Sequence, residues 1–316
     1  MSHDKANAPQ LIFSNKKSTN PKPIVTIGMC VKDCETSVKE AMNSVYNQDF
    51  DHKLMELIVI DDGSEDRTLS IVLDIVSGID LSVKVFRSKW RGLGPARNVV
   101  VGNARGDYIV WLDGDMVLPR DHVRKQVEFM ERNPAVGIAK AKHGIYPGEN
   151  LIAALEHISY VAMDSKYGGK ATSKLPGTGG SIYRVRAIKE VRGFDERLTG
   201  VGEDVEAANR IIEAGWMVYL RSPALFYERR KQTWKDLWNQ YFWYGYGGYN
   251  VIRKKSGVVD FYKMGPLTGF IVGVWYSLVA YKLIHRKWVF LLPFHFVFKM
   301  TAWCLGFARG QIDSHE

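Results

Sequence analysis

Between residues 24 and 112 the chain alternates short, nearly continuous apolar runs with stretches of mixed polarity. The runs at 24–30, 54–60, 82–86 and 108–112 are rich in Ile, Val and Leu and are bounded by turn residues, which predicts strands. The stretches at 35–47, 66–76 and 94–104 carry apolar residues at helical spacing and predict helices. Strands that are apolar on both faces, separated by helices, imply a parallel sheet covered on both sides, an α/β fold. Ligands bind such sheets at the carboxyl ends of the strands. Two of the predicted strands run into acid there: Asp61 and Asp62 close the second, Asp113 and Asp115 the fourth.

From 119 to 227 the pattern is more mixed. Gly177, Thr178, Gly179, Gly180 and Ser181 form a small-residue turn leading into a strand at 182–183. Gly193-Phe194-Asp195 and Gly200-Val201-Gly202 flank a loop. Residues 203–214 predict a helix whose acidic first turn, Glu203 and Asp204, complements its dipole. Gly215 stops it, and a strand follows at 217–220.

The last third changes character. Trp234, Trp238, Tyr241, Phe242 and Tyr249 predict an aromatic-faced helix lying at an interface. Residues 265–281 carry no charge, and 288–308 contain only His295 and Lys299 as strongly polar positions. At 1.5 Å per residue the second segment approaches the roughly 30 Å of a bilayer's hydrocarbon. Trp275, Tyr276, Trp288 and Trp303, flanked by Lys and Arg, favour membrane anchoring over two buried core helices. A two-span hairpin would carry Lys282, Arg286 and Lys287 to the far side, against the positive-inside tendency. Residues 265–281 therefore either span the membrane or lie re-entrant or in its plane.

Composition narrows the picture. The 316 residues are 46% hydrophobic and 24% charged, ordinary globular values that suffice for a large core. The net charge of +9 invites a nucleic-acid reading. Its basic clusters (Arg229-Arg230-Lys231, Arg253-Lys254-Lys255 and Lys282 to Lys287) sit beside aromatic and apolar runs, however, which suits an anionic membrane surface better. Cys30, Cys34 and Cys304 have no zinc-site spacing and read as reduced thiols in a cytosolic protein. Residues 1–22 are polar, lack the apolar core of a signal peptide and read as a disordered tail. The first strand lacks a Gly-x-Gly-x-x-Gly turn, which disfavours a dinucleotide-binding oxidoreductase.

The chemistry is carried by Asp113-Gly114-Asp115 at a strand end. Two carboxylates one residue apart can hold a hard divalent ion, Mn²⁺ or Mg²⁺, against a diphosphate. Alone the pattern is weak, because solvated loops carry it too. Asp61-Asp62 also suits a helix cap, and Glu203-Asp204 also suits a helix N-terminus. Together the three acidic clusters look like one nucleotide-and-metal site.

Motifs across residues 24–250 occur in one order. Pro23-Ile24-Val25-Thr26-Ile27-Gly28 opens the first strand, and Val59-Ile60-Asp61-Asp62-Gly63-Ser64 ends the second. Gly92-Leu93-Gly94-Pro95-Ala96-Arg97-Asn98 precedes the segment running from Ala104 to Asp115. Gly179-Gly180-Ser181, Gly193-Phe194-Asp195-Glu196 and Gly202-Glu203-Asp204 follow. In this order they resemble an inverting, family 2 glycosyltransferase of the GT-A fold, a Rossmann-like nucleotide-binding mixed sheet flanked by helices. A C-terminal membrane region of the cellulose-synthase-like and dolichyl-phosphate mannose synthase-like kind would follow it. The resemblance implies a glycosyltransferase domain at 23–232, an amphipathic interfacial region at 233–264, membrane-associated or transmembrane helices at 265–308 and a tail at 309–316. It implies a membrane enzyme whose catalytic domain faces the cytoplasm.

By the same resemblance, Asp33, Glu35, Asp61, Asp62, Gly94, Arg97, Asp113, Gly114 and Asp115 bind the nucleotide sugar, with Asp115 as metal ligand and Asp113 beside it. Asp204 is the general base and Glu203 orients the loop or acceptor. Gly179, Gly180, Ser181, Gln240 and Tyr244 face the acceptor or diphosphate. Two positions depart from the family pattern. The Gln-x-x-Arg-Trp of processive relatives is Gln240-Tyr241-Phe242-Trp243-Tyr244 here, without the arginine, and Glu228 stands where relatives carry a histidine near the metal. A phosphate acceptor is already ionised and needs no base, whereas a sugar hydroxyl does. Asp204 thus favours transfer of a hexose from a GDP-mannose- or UDP-glucose-type donor to a hydroxyl of a lipid-linked glycan. The alternative is a polyprenyl phosphate acceptor. Nucleic acid is not an expected partner.

Overall fold

The computed structural model describes residues 8–15, 21–146, 150–165, 171–172, 175–198, 202–254 and 265–313. Its first element contradicts the expected disordered tail. Gln10–Ser14 forms a strand, β1, because Leu11-Ile12-Phe13 is a short apolar run inside polar sequence and finds an open sheet edge. There follow β2 (Val25–Val31), α1 (Val38–Tyr46), β3 (Met55–Asp62), α2 (Thr68–Ser77), β4 (Ser82–Ser88), α3 (Leu93–Asn103) and β5 (Tyr108–Asp113). These match the alternation seen in the sequence. β2 and β3 are buried at every residue, as strands covered on both faces must be.

A short β6 (Met116–Val117) precedes α4 (His122–Arg132), β7 (Val136–His143), α5 (Leu151–Ser165), β8 (Ala171–Thr172), β9 (Ser181–Arg184), α6 (Val185–Glu190) and α7 (Glu203–Glu213). β10 spans Met217–Glu228, longer than the expected 217–220, because Arg221 at φ +62° marks an irregularity after which the chain re-pairs. The described residues form a ten-stranded sheet in the order β1-β4-β3-β2-β5-β9-β7-β10-β6, with β8 on β10. β4, β3, β2 and β5 are parallel, while β9 is antiparallel to both β5 and β7. Apolar clusters fill both faces. One includes Ile27, Leu57 and Val110; the other includes Ile58, Ile109 and Trp111.

α8 (Trp234–Lys254), α9 (Pro266–Ile284) and α10 (Leu292–Asp313) complete the chain. Pro266 occupies the first turn of α9, where its missing N–H costs nothing, and His285 in the left-handed region ends it. α10 continues through Asp313, so residues 309–313 are helix and not the expected tail. α9 and α10 are each long and apolar enough to cross a membrane. Glycines let α10 meet α8 at backbone contact: a Cβ on Gly245 would strike the Trp303 carbonyl, and one on Gly306 the Phe242 carbonyl. Residues 1–7 of the expected tail, Gly200 and Val201 of the expected loop, 255–264 of the interfacial region and 314–316 lie outside the described residues.

Candidate active site

Parallel pairing sets the acidic strand ends side by side. Val31 of β2 pairs with Asp61 of β3, and Cys30 pairs with Asp113 of β5. After β5 the chain turns at Gly114-Asp115 into β6, which pairs with the end of β10 so that Glu228 lies opposite Met116. The Arg229 N–H donates to the Asp115 carbonyl at 2.9 Å, fixing that turn. Glu228 therefore stands close enough to Asp113 and Asp115 for its charge to act on both. Burial and the charges of Glu228 and Asp113 push the Asp115 carboxyl up to about 7. Asp113 is raised as well, by burial first, with Arg97 opposing.

Arg97 rises from α3, 3% exposed, to pair with Glu203 at the start of α7 and to reach within 3.9 Å of Asp113. Burial disfavours its charge, but Glu203, Asp204 and Asp113 outweigh this and keep it a cation. Gly202 opens α7 at φ +105°, a conformation that suits glycine. The turn delivers Asp204 against the glycine loop, where its Oδ2 accepts the Thr178 N–H at 3.2 Å. Both carboxylates of this pair line the cavity; Glu203 pairs through one oxygen with Arg97, whereas Asp204 is held by the Thr178 and Val205 backbone amides and pairs with no cation among the described residues.

These groups line a cavity of about 490 Å³. One end holds Arg97, Asp113, Gly179, Glu203, Asp204 and Glu228; the other holds Tyr160, Tyr244, Gly248 and Trp303. Several lining residues escape the sequence patterns. Lys140 of β7 donates to the Gly179 carbonyl and lies 4.8 Å from the Phe226 ring; burial lowers its pKa against the pull of Glu228 and Asp113. Arg230 pairs with Glu228 at 2.7 Å and sits 4.1 Å over the Tyr160 ring. His143 Nδ1 lies 2.7 Å from Asp164 Oδ2. Trp303 comes from α10, where its run reads only as membrane segment. Lys140 left no signal, because β7 mixes Lys140 and Lys142 with small residues and does not read as an apolar strand.

The remaining expected residues shape loops around this centre. The Asp62 carboxylate accepts from the Ser88 hydroxyl at 2.9 Å and from the Arg91 and Gly92 N–H groups at 3.0 Å each, so it clasps the loop before α3. Asp61 is fully buried, accepting the Ser64 N–H at 3.3 Å with Arg87 Nε 3.5 Å away. Asp33, at φ +47°, accepts the Glu65 N–H, and Glu35 accepts from the Arg67 backbone and side chain, so both tie the loops after β2 and β3 together. A second cavity of about 520 Å³ lies against that loop, lined by Lys32, Ser64, Arg87 and Trp90. Gly94 and Gly114 allow close approach to the Asp195 backbone and the Cys34 side chain. Gly180 packs on Phe226, the Ser181 hydroxyl donates to the Gly177 carbonyl at 2.9 Å, and Gln240 donates to the Tyr244 hydroxyl at 2.9 Å. Of the acceptor-side residues, Gly179 and Tyr244 line the cavity and the other three support it.

Among the described residues no three His, Cys, Asp or Glu side chains form a ready metal cage. The close carboxylates Asp113, Asp115 and Glu228 instead suit an ion that also takes diphosphate oxygens.

The family model described as "Glycosyl transferase family 2" matches residues 26–191. An uncharacterized glycosyltransferase of Haemophilus influenzae is 36% identical over 125 residues, covering 39% of this chain and 47% of that protein. Poly-beta-1,6-N-acetyl-D-glucosamine synthase of Staphylococcus epidermidis is 25% identical over 243 residues, 71% of this chain and 54% of its own length. The chain thus spans about half the length of these relatives. In fold it is similar to the mannosyltransferase PcManGT of Pyrobaculum calidifontis, a structure in complex with GDP-Man and Mn²⁺. The TM-score is 0.66 at 15% identity, over 93% of this chain and 88% of that one. Residues 1–349 of TarS from S. aureus give a TM-score of 0.52 at 16% identity, over 92% and 91%. The mixed sheet with its flanking helices is the GT-A arrangement.

Proposed function

Because the chain belongs to glycosyl transferase family 2, we propose that it is a membrane-bound, metal-dependent hexosyltransferase. It would move a hexose, with inversion, from a GDP-mannose- or UDP-glucose-type nucleotide sugar to a hydroxyl of a lipid-linked glycan. The observation that carries this reading is Asp204. Of the Glu203–Asp204 pair it is the carboxylate not engaged by Arg97, and it shares the cavity with Asp113 and Glu228 on one side and aromatic rings on the other.

The donor's diphosphate lies by Asp113 and Asp115, and its nucleoside toward Asp61 at the end of β3. Asp115, with Asp113 and Glu228 beside it, would hold Mn²⁺ or Mg²⁺; that ion, when bound, supplies countercharge for the departing nucleoside diphosphate. Arg97 adds a fixed cation on the same side. The acceptor hydroxyl enters from the aromatic end and attacks the anomeric carbon opposite the leaving group while Asp204 takes its proton. Gly179 and Tyr244 shape the acceptor's approach. The catalytic domain faces the cytoplasm, where nucleotide sugars are supplied.

One observation favours a second reading. Buried Arg230 and partly buried Lys140 are cations on the cavity wall, and they suit a polyprenyl phosphate acceptor, which needs no base. The discriminating experiment compares the unaltered chain with Asp204→Asn in membranes, with Mn²⁺ and radiolabelled GDP-mannose or UDP-glucose. Polyprenyl phosphate and a polyprenyl-linked sugar serve as the two acceptors. Transfer to the sugar that vanishes in the variant supports base-catalysed glycan extension. Transfer to polyprenyl phosphate that persists in the variant overturns it.

A further inference from the structure

The hydropathy of the last helices leaves their orientation open, and their packing decides it. α8 and α10 run parallel: Trp234 meets Phe298, Tyr241 meets Lys299, Gly245 meets Trp303 and Tyr249 meets Phe307. α9 returns antiparallel along the other flank of α10, with Gly269 against Met300 and the Ser277 hydroxyl donating to the Val289 carbonyl at 3.0 Å. The three helices make one layer.

That layer lies broadside on the catalytic domain. Along α10, Leu292 packs with Leu155 and Ile158 of α5, His295 and Lys299 each lie 2.7 Å from Glu156 of α5, and Trp303 lines the active-site cavity. Each of these positions lies three or four residues after the last, so they occupy one face over about 16 Å. α8 does the same: Leu237 and Tyr241 pack beside α5, while Tyr244 and Gly248 line the cavity. A helix perpendicular to a bilayer touches a domain standing in water only with its end. Set perpendicular, α10 would draw the Glu156 cluster and the cavity rim about halfway into roughly 30 Å of hydrocarbon, where ionised groups are costly.

The outward surface of α9 and the facing part of α10 is apolar, while α8 exposes Lys235, Asp236 and Asn239 beside Trp234 and Trp243. On α9, Leu267, Ile271 and Leu278 are 76%, 62% and 52% exposed; on α10, Phe294 is 67% exposed. The turn between α9 and α10 is edged by exposed Lys282, Arg286 and Lys287. We infer that the protein is monotopic. The α8–α10 layer rests flat in one leaflet of an anionic bilayer, and the α9–α10 turn lies on the same side as the catalytic domain. An in-plane helix buries about 5–10 Å into the headgroup and acyl boundary, and the basic turn meets anionic headgroups at that level. The inference rests on the membrane association proposed above and adds its topology.

The test uses the full chain carrying Arg286→Cys at the turn or, as a catalytic-domain reference, Arg132→Cys at the end of α4. Each is expressed in cells and treated with a membrane-impermeant maleimide in right-side-out and in inverted vesicles. The unaltered chain supplies the background from Cys30, Cys34 and Cys304. The two substituted chains are expected to label in the same vesicle orientation, with orientation ratios equal within about twofold. Labelling of Arg286→Cys only in the orientation opposite to Arg132→Cys overturns the inference and leaves a spanning hairpin. Failure of the unaltered chain to sediment with phosphatidylserine-containing vesicles overturns the membrane association itself, a result distinct from the topological one.

Discussion

At the scale of single residues, neighbouring carboxylates divide into chemistry and scaffolding. Asp115 is crowded by Glu228 and Asp113, so its negative charge needs a cation. Asp115→Asn keeps the shape and removes the charge. Turnover is expected to fall by about 10²- to 10³-fold or more, and Mn²⁺ is expected no longer to tighten donor binding when both are followed by titration. Asp62, alike in sequence to Asp61, accepts three hydrogen bonds from the 88–92 segment. Asp62→Ala should therefore cost about 1–3 kcal/mol or more of stability, read as a lowered denaturant midpoint. The sequence marked Asp61, Asp62, Asp113, Asp115 and Asp204 as candidates, because each lies in a local motif at an element's end. It did not show which carboxylates are already satisfied, since their partners, such as Gly92 for Asp62 or Arg97 for Glu203, lie about 30 and 106 positions away or come from other elements. Lys140 stayed hidden for the same reason, and Arg230, expected with Arg229 and Lys231 at a membrane surface, is instead buried against Glu228.

Among the elements, strands apolar on both faces were legible from β2 to β5 because burial on two sides leaves an unbroken apolar run. β1 and β7 were not. β1 is five residues of exposed edge, and β7 mixes Lys140 and Lys142 with small alanines. α4 carries its own signature. His122 at its start is fully buried, with Nδ1 2.5 Å from the Leu225 carbonyl and Nε2 without a partner among the described residues. Burial lowers its pKa from 6.5 to about 4. The folded protein thus favours the neutral ring, and its contribution is intact above pH 6.5 and lost as pH falls toward 4. Stability is expected to drop by about 3 kcal/mol across that window. A His122→Gln chain should show a flatter pH dependence in denaturant titrations; an unchanged slope removes His122 as the cause.

For the whole molecule, two apolar helices were visible in the sequence, yet their attitude was not. α9 is apolar on nearly every side, so periodicity could not say which side faces protein. The packing of Tyr276 and Ala280 on Leu155, Ile158 and Ala162 answers that. Charging the opposite side with Ile271→Asp and Leu278→Asp is expected to cut partition onto anionic vesicles by at least tenfold. Soluble donor hydrolysis, measured in detergent, should stay within about twofold. An equal loss of both would mean that this face is part of the folded core. β1 closes the free side of β4, whose backbone N–H and C=O groups would otherwise form a ready template for strand addition by a second chain. β1 is itself short and bulged between Leu11 and Phe13, which makes it a poor template in turn. A chain shortened past Ser14 would fold around the same centre but present β4 to its neighbours, and its first failure would be edge-to-edge aggregation, well before any loss of chemistry.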